Sequence, residues 1–320
     1  EHLENYGESV IDDLDWEDVQ DLSESSPRRA LARFVGYYSK IREDQSWSRC
    51  TATAVAPTLV LTNEHCLPVD SVVVNFDYQS ESDYDTLPDL RDEGFWCTEV
   101  VISAPEHDLA LLRCPPEENG GQVVGDALGG YVDLPVDGVP NLVSGASIYL
   151  LHQNCYYEDS GSCGWVETDV WGEAVKKMSP GLFLQYPLAD YSLVDGGDFE
   201  GGGGFLHDAD TLGGTSGALV FSEQTHTAVG LHHGGSVNGN KARYLGDIFS
   251  DIPQLLTEIA ADIVEYDTEP CIDNDGDTRG SGCALGEDCD DGNPNVWDSC
   301  DTCKDADGDG WWVGCDIFET

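Results

Sequence analysis

Three short stretches of this chain carry residue types that together could activate a hydroxyl for attack on a carbonyl carbon. They are Leu61-Thr62-Asn63-Glu64-His65-Cys66, His107-Asp108-Leu109-Ala110-Leu111-Leu112 and Gly213-Gly214-Thr215-Ser216-Gly217. A serine hydroxyl is a poor nucleophile until a nearby base takes its proton. His65 is the candidate base, Asp108 the carboxylate that would hold its imidazole in one tautomer, and Ser216 the nucleophile. The glycines before Ser216 would let the N–H groups of Gly214 and Ser216 turn inward and hold an oxyanion, a contribution of about 3–4 kcal/mol per donor. Gly217 would let the chain turn away behind the nucleophile. Taken singly, each piece fits a structural role: a core histidine, a turn aspartate, a flexible loop. Taken together, in the order His, Asp, Ser, they define one chemical device.

Such a device needs rigid elements beneath it, and each stretch adjoins an apolar run of strand character: residues 52–56 and 59–61 before His65, 109–112 after Asp108, and 218–221 after Ser216. The 36 glycines and 14 prolines suit a turn-rich β protein. Residues 1–29 are acidic and nearly strandless, which predicts a surface-laid extension or leader. Phe34-Val35-Gly36-Tyr37-Tyr38 is the first convincing strand. A first β unit is expected over about 30–116 and a second over about 123–249, separated by the breaker-rich Pro115-Pro116-Glu117-Glu118-Asn119-Gly120-Gly121. Apolar residues at helical spacing predict a closing helix over about 252–265.

The segment from Cys50 to Cys66 resembles the histidine segment of chymotrypsin-like serine endopeptidases, down to a cysteine adjoining His65 and a partner sixteen residues earlier. The chain order His, Asp, Ser is the one that accompanies the double β-barrel scaffold. The resemblance implies an all-β fold of two six-stranded antiparallel barrels with a C-terminal helix over residues 30–267, and a disulfide between Cys50 and Cys66. A loop that short would contribute about 3 kcal/mol if loop-closure entropy is the source. Proximity in sequence suggests two further pairs, Cys97 with Cys114 and Cys155 with Cys163. Leu61-Thr62-Asn63-Glu64-His65 and Gly213-Gly214-Thr215-Ser216-Gly217 are more similar to the bacterial glutamyl endopeptidase branch than to the animal digestive enzymes. So are Ser9-Val10-Ile11-Asp12-Asp13, similar to that branch's mature amino terminus, and Val229-Gly230-Leu231-His232-His233-Gly234-Gly235. The likeness covers residues from about 9 to 265.

The resemblance leaves specificity open between two readings. Thr211 and His232 fall where the glutamyl branch holds a substrate carboxylate, and Arg243 lies on the strand expected to back the pocket. These favour a glutamate or aspartate at P1, the residue before the cut. Asp210, six residues before Ser216, instead matches the aspartate that gives trypsin-like enzymes their preference for arginine and lysine. If Asp210 and Arg243 meet, they neutralise each other and leave the choice to Thr211 and His232. Activation departs from the digestive enzymes, because Thr215 stands where those carry the aspartate that pairs with a new amino terminus. The glutamyl branch predicts instead a cleavage after Glu8 or Ser9 that frees an ammonium near the pocket. An inactive relative using the barrels as a binding surface, or an adhesion protein with a peptidase as cargo, are the alternatives in other classes.

Composition points to an exported protein, and the resemblance implies protein or peptide substrates. Twelve cysteines, an even number, suit an oxidising compartment, so the expected location is secreted, free or surface-associated. No apolar run is long enough to span a bilayer, and the chain begins without a basic-then-apolar leader, which predicts that any export signal has already been removed or was left out. With 62 acidic against 14 basic residues, the net charge of −48 argues against nucleic-acid and anionic-membrane partners.

From residue 268 to 320 the composition changes to aspartate, glycine and six cysteines. Asp273, Asp275 and Asp277 are spaced two apart around Gly276, Asp288 and Asp290 lie in a related stretch, and Asp305, Asp307, Asp309 and Asp316 occupy positions one, three, five and twelve of a loop with Gly310 at six. Alternating carboxylates around a glycine suit a hard cation with oxygen ligands, and calcium rather than zinc fits this donor set. The segment resembles thrombospondin type 3 calcium repeats. With so little apolar material, disulfides and metal would have to replace a core.

Overall fold

In the computed structural model, the described residues are 10–11, 14–41, 47–67, 72–79, 93–136, 138–153, 157–158, 162–163, 175–188, 204–236 and 239–266. Cys155 and the whole of residues 268–320, with the aspartates expected to bind calcium, lie outside them. The fold is mostly β, with two barrel-like sheets of seven strands each and a few helices.

The first sheet contains β2 (Val35–Ile41), β3 (Trp47–Ala54), β4 (Leu59–Thr62), β5 (Val72–Asn75), β6 (Phe95–Cys97), β7 (Glu99–Ala104) and β8 (Leu109–Arg113), in the order β6-β5-β2-β3-β4-β8-β7. The outermost members β6 and β7 are separated in the chain by Thr98 alone. They are two halves of one strand that leaves β5 and crosses to β8, so the sheet closes covalently and counts six strands around its ring. The Cys97–Cys114 disulfide ties the end of β6 to the residue after β8.

The second sheet holds β1 (Glu17–Asp18), β9 (Ser147–His152), β12 (Lys177–Gln185), β13 (Gly204–His207), β14 (Leu219–Ser222), β15 (Ala228–Ser236) and β16 (Gly239–Tyr244). Its order is β1-β12-β13-β16-β15-β14-β9, and β9 pairs in turn with β12 from Lys177↔His152 to Leu182↔Ser147. Six strands therefore close this ring too, and the seventh is the short β1, laid against Met178 and Lys177 of β12. Two further short strands, β10 (Tyr157–Glu158) and β11 (Ser162–Cys163), pair only with each other. Every pairing among the described strands is antiparallel, which short turn connections permit.

Because successive strand side chains point to opposite faces, a strand covered on both sides reads as an unbroken apolar run. In β9, Ile148 and Leu150 enter the core of the second barrel, while Tyr149 and Leu151 join the core of the first. In β14, Val220 faces the second core and Leu219 and Phe221 the first. The same first-barrel core takes Val19 and Leu22, so the acidic N-terminal segment is anchored by apolar residues from that point on.

One boundary differs from the sequence expectation. The second sheet ends at Tyr244 rather than near residue 249, because Leu245, Ile248 and Phe249 fall at helical spacing and form the helix Leu245–Asp251. The closing helix is Pro253–Tyr266, and it buries Leu255 and Ile259 against the first barrel. Asp262, 1% exposed, fixes that helix by accepting the Thr58 N–H at 2.8 Å and the Thr58 hydroxyl at 2.5 Å, and it pairs with Arg113. Among the described residues, no helix is long and apolar enough to cross a membrane.

Removing Asp262 leaves the buried Thr58 N–H and hydroxyl without their acceptor, while Arg113, 19% exposed, keeps Glu99 at 3.3 Å. Asp262→Ala is expected to destabilise the protein by about 1–3 kcal/mol, read as a fall in the thermal unfolding midpoint.

Candidate active site

His65 and Asp108 come from neighbouring turns of the first barrel. Asn63 ends the run that follows β4, and the turn Glu64–Cys66 presents His65, with Cys66 joined to Cys50 of β3 by a disulfide. Asp108 follows the turn Pro105–His107 and sits in the left-handed region at φ 49°, where aspartate is among the few residues tolerated besides glycine. Proline at the first position of that turn pre-sets its φ and removes an N–H that would have no partner. The reversed backbone aims the Asp108 carboxylate at His65. One oxygen accepts the His65 main-chain N–H at 2.9 Å and the other lies 2.7 Å from His65 Nδ1. Asn63 Nδ2 donates to the Asp108 carbonyl at 2.8 Å, tying the two turns together. Asp108 is 3% exposed whereas the His65 side chain is 23% exposed, so the carboxylate is sheltered and the imidazole reaches the surface.

Ser216 is brought beside this pair by the loop that enters β14. Its carbonyl accepts the N–H of Thr51 in β3 at 2.8 Å, and the Gly217 N–H donates to the His232 carbonyl at 3.0 Å. Gly217 has φ +91°, and a Cβ there would lie 2.2 Å from the Thr51 carbonyl oxygen and 2.5 Å from the Thr62 hydroxyl. Both the dihedral and the close approach demand glycine. This backbone contact with β3 and β4 sets the serine against the two strands that precede His65. Gly214 also has positive φ, 107°, and its carbonyl accepts from the Thr51 hydroxyl at 2.9 Å, which turns that peptide's oxygen toward the first barrel.

Of the residues expected to line a substrate pocket, Thr211, in the nucleophile loop, and His232, in β15, are fully buried. Thr211 Oγ1 has no hydrogen-bond partner. His232 Nδ1 lies 3.2 Å from Nε2 of His207. Burial pushes His232 down to about 3, aided by His65 and opposed by Asp108, and holds His207 well below the usual histidine range, with His232 adding to the effect. Both rings are therefore neutral at physiological pH. Asp210, 1% exposed, accepts the Ile11 N–H at 2.7 Å and the Asp15 N–H at 3.0 Å. Arg243 reaches the other way and donates to the Glu106 carbonyl at 2.8 Å, beside the Asp108 turn. None of these contacts joins Asp210 to Arg243.

Several participants escape a reading of the sequence. His233 places Nδ1 3.8 Å from the Asp108 carboxylate, and burial pushes it down to about 3. His152 lies 3.1 Å from the Thr215 hydroxyl through Nδ1 and 2.8 Å from Ser179 Oγ through Nε2. The one signal for His152 is a polar residue closing the apolar run Ile148-Tyr149-Leu150-Leu151 of a strand. The expected Cys50–Cys66 and Cys97–Cys114 disulfides are present. The only cluster of potential metal ligands among the described residues is Cys50, His65 and Cys66, and its two thiols are consumed by a disulfide.

Two closed barrels with a His–Asp pair on one and a glycine-flanked serine from the other define the architecture of the chymotrypsin-type serine peptidases. The trypsin-like peptidase domain family matches residues 50–231, which include all three of these residues, and the chain belongs to that family. Among solved structures, the active form of the Rv3671c protease from M. tuberculosis is similar in fold at 16% identity and a TM-score of 0.50, over 78% of this chain and 90% of that one. A Glu endopeptidase in complex with MPD aligns at 18% identity and a TM-score of 0.49, over 78% and 99%. A scabies mite inactivated protease paralogue aligns at 15% and 0.49, over 73% and 98%. No curated protein matches the chain.

Burial foremost raises Asp210 to about 6, against the pull of the two N–H donors; Asp15 adds a raising contribution. A carboxyl held above its unfolded value near 4 binds its proton more tightly when folded, so it adds stability at low pH that is lost as pH rises through about 4 to 6. Asp210→Asn is expected to flatten the decline in unfolding midpoint between pH 4 and pH 7, measured by thermal melts of both proteins.

Proposed function

We propose that this protein is a secreted serine endopeptidase that cuts peptide bonds after glutamate or aspartate. The observation that carries the reading is the two-point grip of Asp108 on His65, at 2.9 and 2.7 Å, beside a nucleophile loop fixed to the same barrel. Ser216 Oγ attacks the scissile carbonyl as His65 Nε2 takes its proton, and Asp108 stabilises the imidazolium that forms. The N–H groups of Gly214 and Ser216 receive the oxyanion. The intermediate collapses when His65 returns the proton to the leaving amine, and water repeats the sequence on the acyl-enzyme to release the acid and restore Ser216.

The preference for an acidic P1 residue rests on what each pocket candidate is already doing. Each oxygen of Asp210 already receives a main-chain donor, so it is a poor counter-ion for an incoming arginine or lysine. Thr211 keeps an uncommitted hydroxyl, and neutral His232 carries a ring that a carboxylate can accept from, backed by His207. A neutral donor set also avoids leaving a charge buried when no substrate is bound. The kinship with the glutamyl branch is part of this proposal, as is secretion, for which two intact disulfides are the support.

Residues 268–320 are proposed to bind calcium through the alternating carboxylates of Asp273, Asp275, Asp277 and of Asp305, Asp307, Asp309, a donor set suited to that ion. The cation would neutralise and order that segment, and no step of peptide hydrolysis passes through it.

Incubating the protein and its Ser216→Ala variant with a denatured protein mixture, then identifying every new terminus by mass spectrometry, tests the central reading. New termini after Glu and Asp, reduced at least about 10⁴-fold in rate in the variant, are expected. Cuts after Arg or Lys would transfer the pocket to Asp210, and no serine-dependent cut at all would leave a binding module. For the tail, a chelator is expected to lower a thermal transition that added calcium restores, while initial rates of hydrolysis stay unchanged.

A further inference from the structure

The loop from Asp210 to Ser216 is held at its first end, and backed at its last end through His152, by one stretch of chain that enters no part of the mechanism above. At its first end, the two carboxylate oxygens of Asp210 take the N–H groups of Ile11 and Asp15. At its last end, Thr215 is fixed by its side chain. Its hydroxyl accepts the Leu212 N–H at 3.3 Å, which leaves the hydroxyl proton for Nδ1 of His152 at 3.1 Å, and His152 Nε2–H then donates to Ser179 Oγ at 2.8 Å. This arrangement needs a neutral imidazole, and complete burial keeps His152 neutral. Trp16 meets that imidazole edge-on, with ring centroids 6.4 Å apart at 68°. The following residues lock the stretch in place: Glu17 and Asp18 pair with Met178 and Lys177, and the Val19 N–H donates to the Lys176 carbonyl at 3.0 Å.

Thr215 lies between the two residues whose N–H groups must point at the oxyanion. Whatever sets its position sets theirs, and a donor displaced by an ångström has lost most of its value in the transition state. Accepting the peptidase reading, we infer that Ile11 and residues 14–18 form a built-in strap that positions the oxyanion loop, through Ile11 and Asp15 on Asp210 and through Trp16 on the His152–Thr215 pair. Trp16, His152 and Thr215 are positioning residues. The strap makes its contacts through main-chain N–H groups and a ring, with no terminal ammonium, so it holds the loop in the uncut chain. A cut before Val10 leaves every one of these contacts in place.

Four full-length variants test this: Trp16→Ala, Thr215→Val, the two combined, and Ile11→Pro, which deletes one donor to Asp210 and leaves both barrel cores untouched. Measured are kcat and KM on a peptide amide, and the rate at which a fluorophosphonate labels Ser216. Each single variant is expected to lose about 10- to 100-fold in kcat and in labelling rate with KM nearly unchanged. The double variant should be no slower than the slower single one, and Thr215→Ser should recover most of the loss. A merely structural strap would lower the unfolding midpoint and leave kcat of the folded fraction intact. Full kcat in Ile11→Pro, or losses that multiply in the double variant, would overturn the inference. Failure of the wild-type protein to label at Ser216 would remove the peptidase reading and the strap with it.

Discussion

The arrangement depends on one hydroxyl at the seam between the barrels. Thr51 sits in β3 of the first barrel, yet its Oγ1 lies 2.9 Å from the Gly214 carbonyl and 3.2 Å from the Gln153 carbonyl and accepts the Gln153 N–H at 3.0 Å. Its main-chain N–H donates to Ser216 and its carbonyl accepts from Thr62. A single threonine thus joins the strand leading to the candidate base, the loop bearing the candidate nucleophile and the end of β9. Fully buried, it cannot exchange these partners for water, and each one lost would leave a polar group unsatisfied. The glycine at 217 is the geometric counterpart: it allows the approach that the threonine then fixes.

Electrostatically, the site contrasts with the rest of the molecule. The chain carries a net charge of −48, yet around the nucleophile loop lie four buried histidines, His152, His207, His232 and His233, all held uncharged by desolvation. Neutral imidazoles can donate and accept in dry surroundings without the cost of a buried ion. The acidic surface and the neutral imidazoles of the site serve different ends, solvation outside and directional hydrogen bonding inside.

The local parts of the site were legible because each rests on a short-range rule. His65, Asp108 and Ser216 stand beside apolar runs that became β4, β8 and β14, and Cys50 and Cys66 lie at a family spacing. The two barrels were implied by the family resemblance, whereas the boundary near residue 249 was misplaced because β16 passes directly into the helix Leu245–Asp251 with no turn residue between them. What remained hidden is long-range. Ile11 and Asp210 are 199 positions apart, and Thr215 and His152 are 63 apart. Nothing in the composition of either segment announces its partner, since a main-chain N–H belongs to every residue but proline.

The alternate residues of β9 and β14 feed two cores at once, with Tyr149, Leu151 and Phe221 of the second sheet counted in the core of the first. The breaker-rich stretch after Pro115 divides the molecule by chain order, but no energetic border follows it. Heat or denaturant should therefore melt the pair of barrels as one cooperative unit, and neither half, expressed alone, would retain the apolar cover that its strands need.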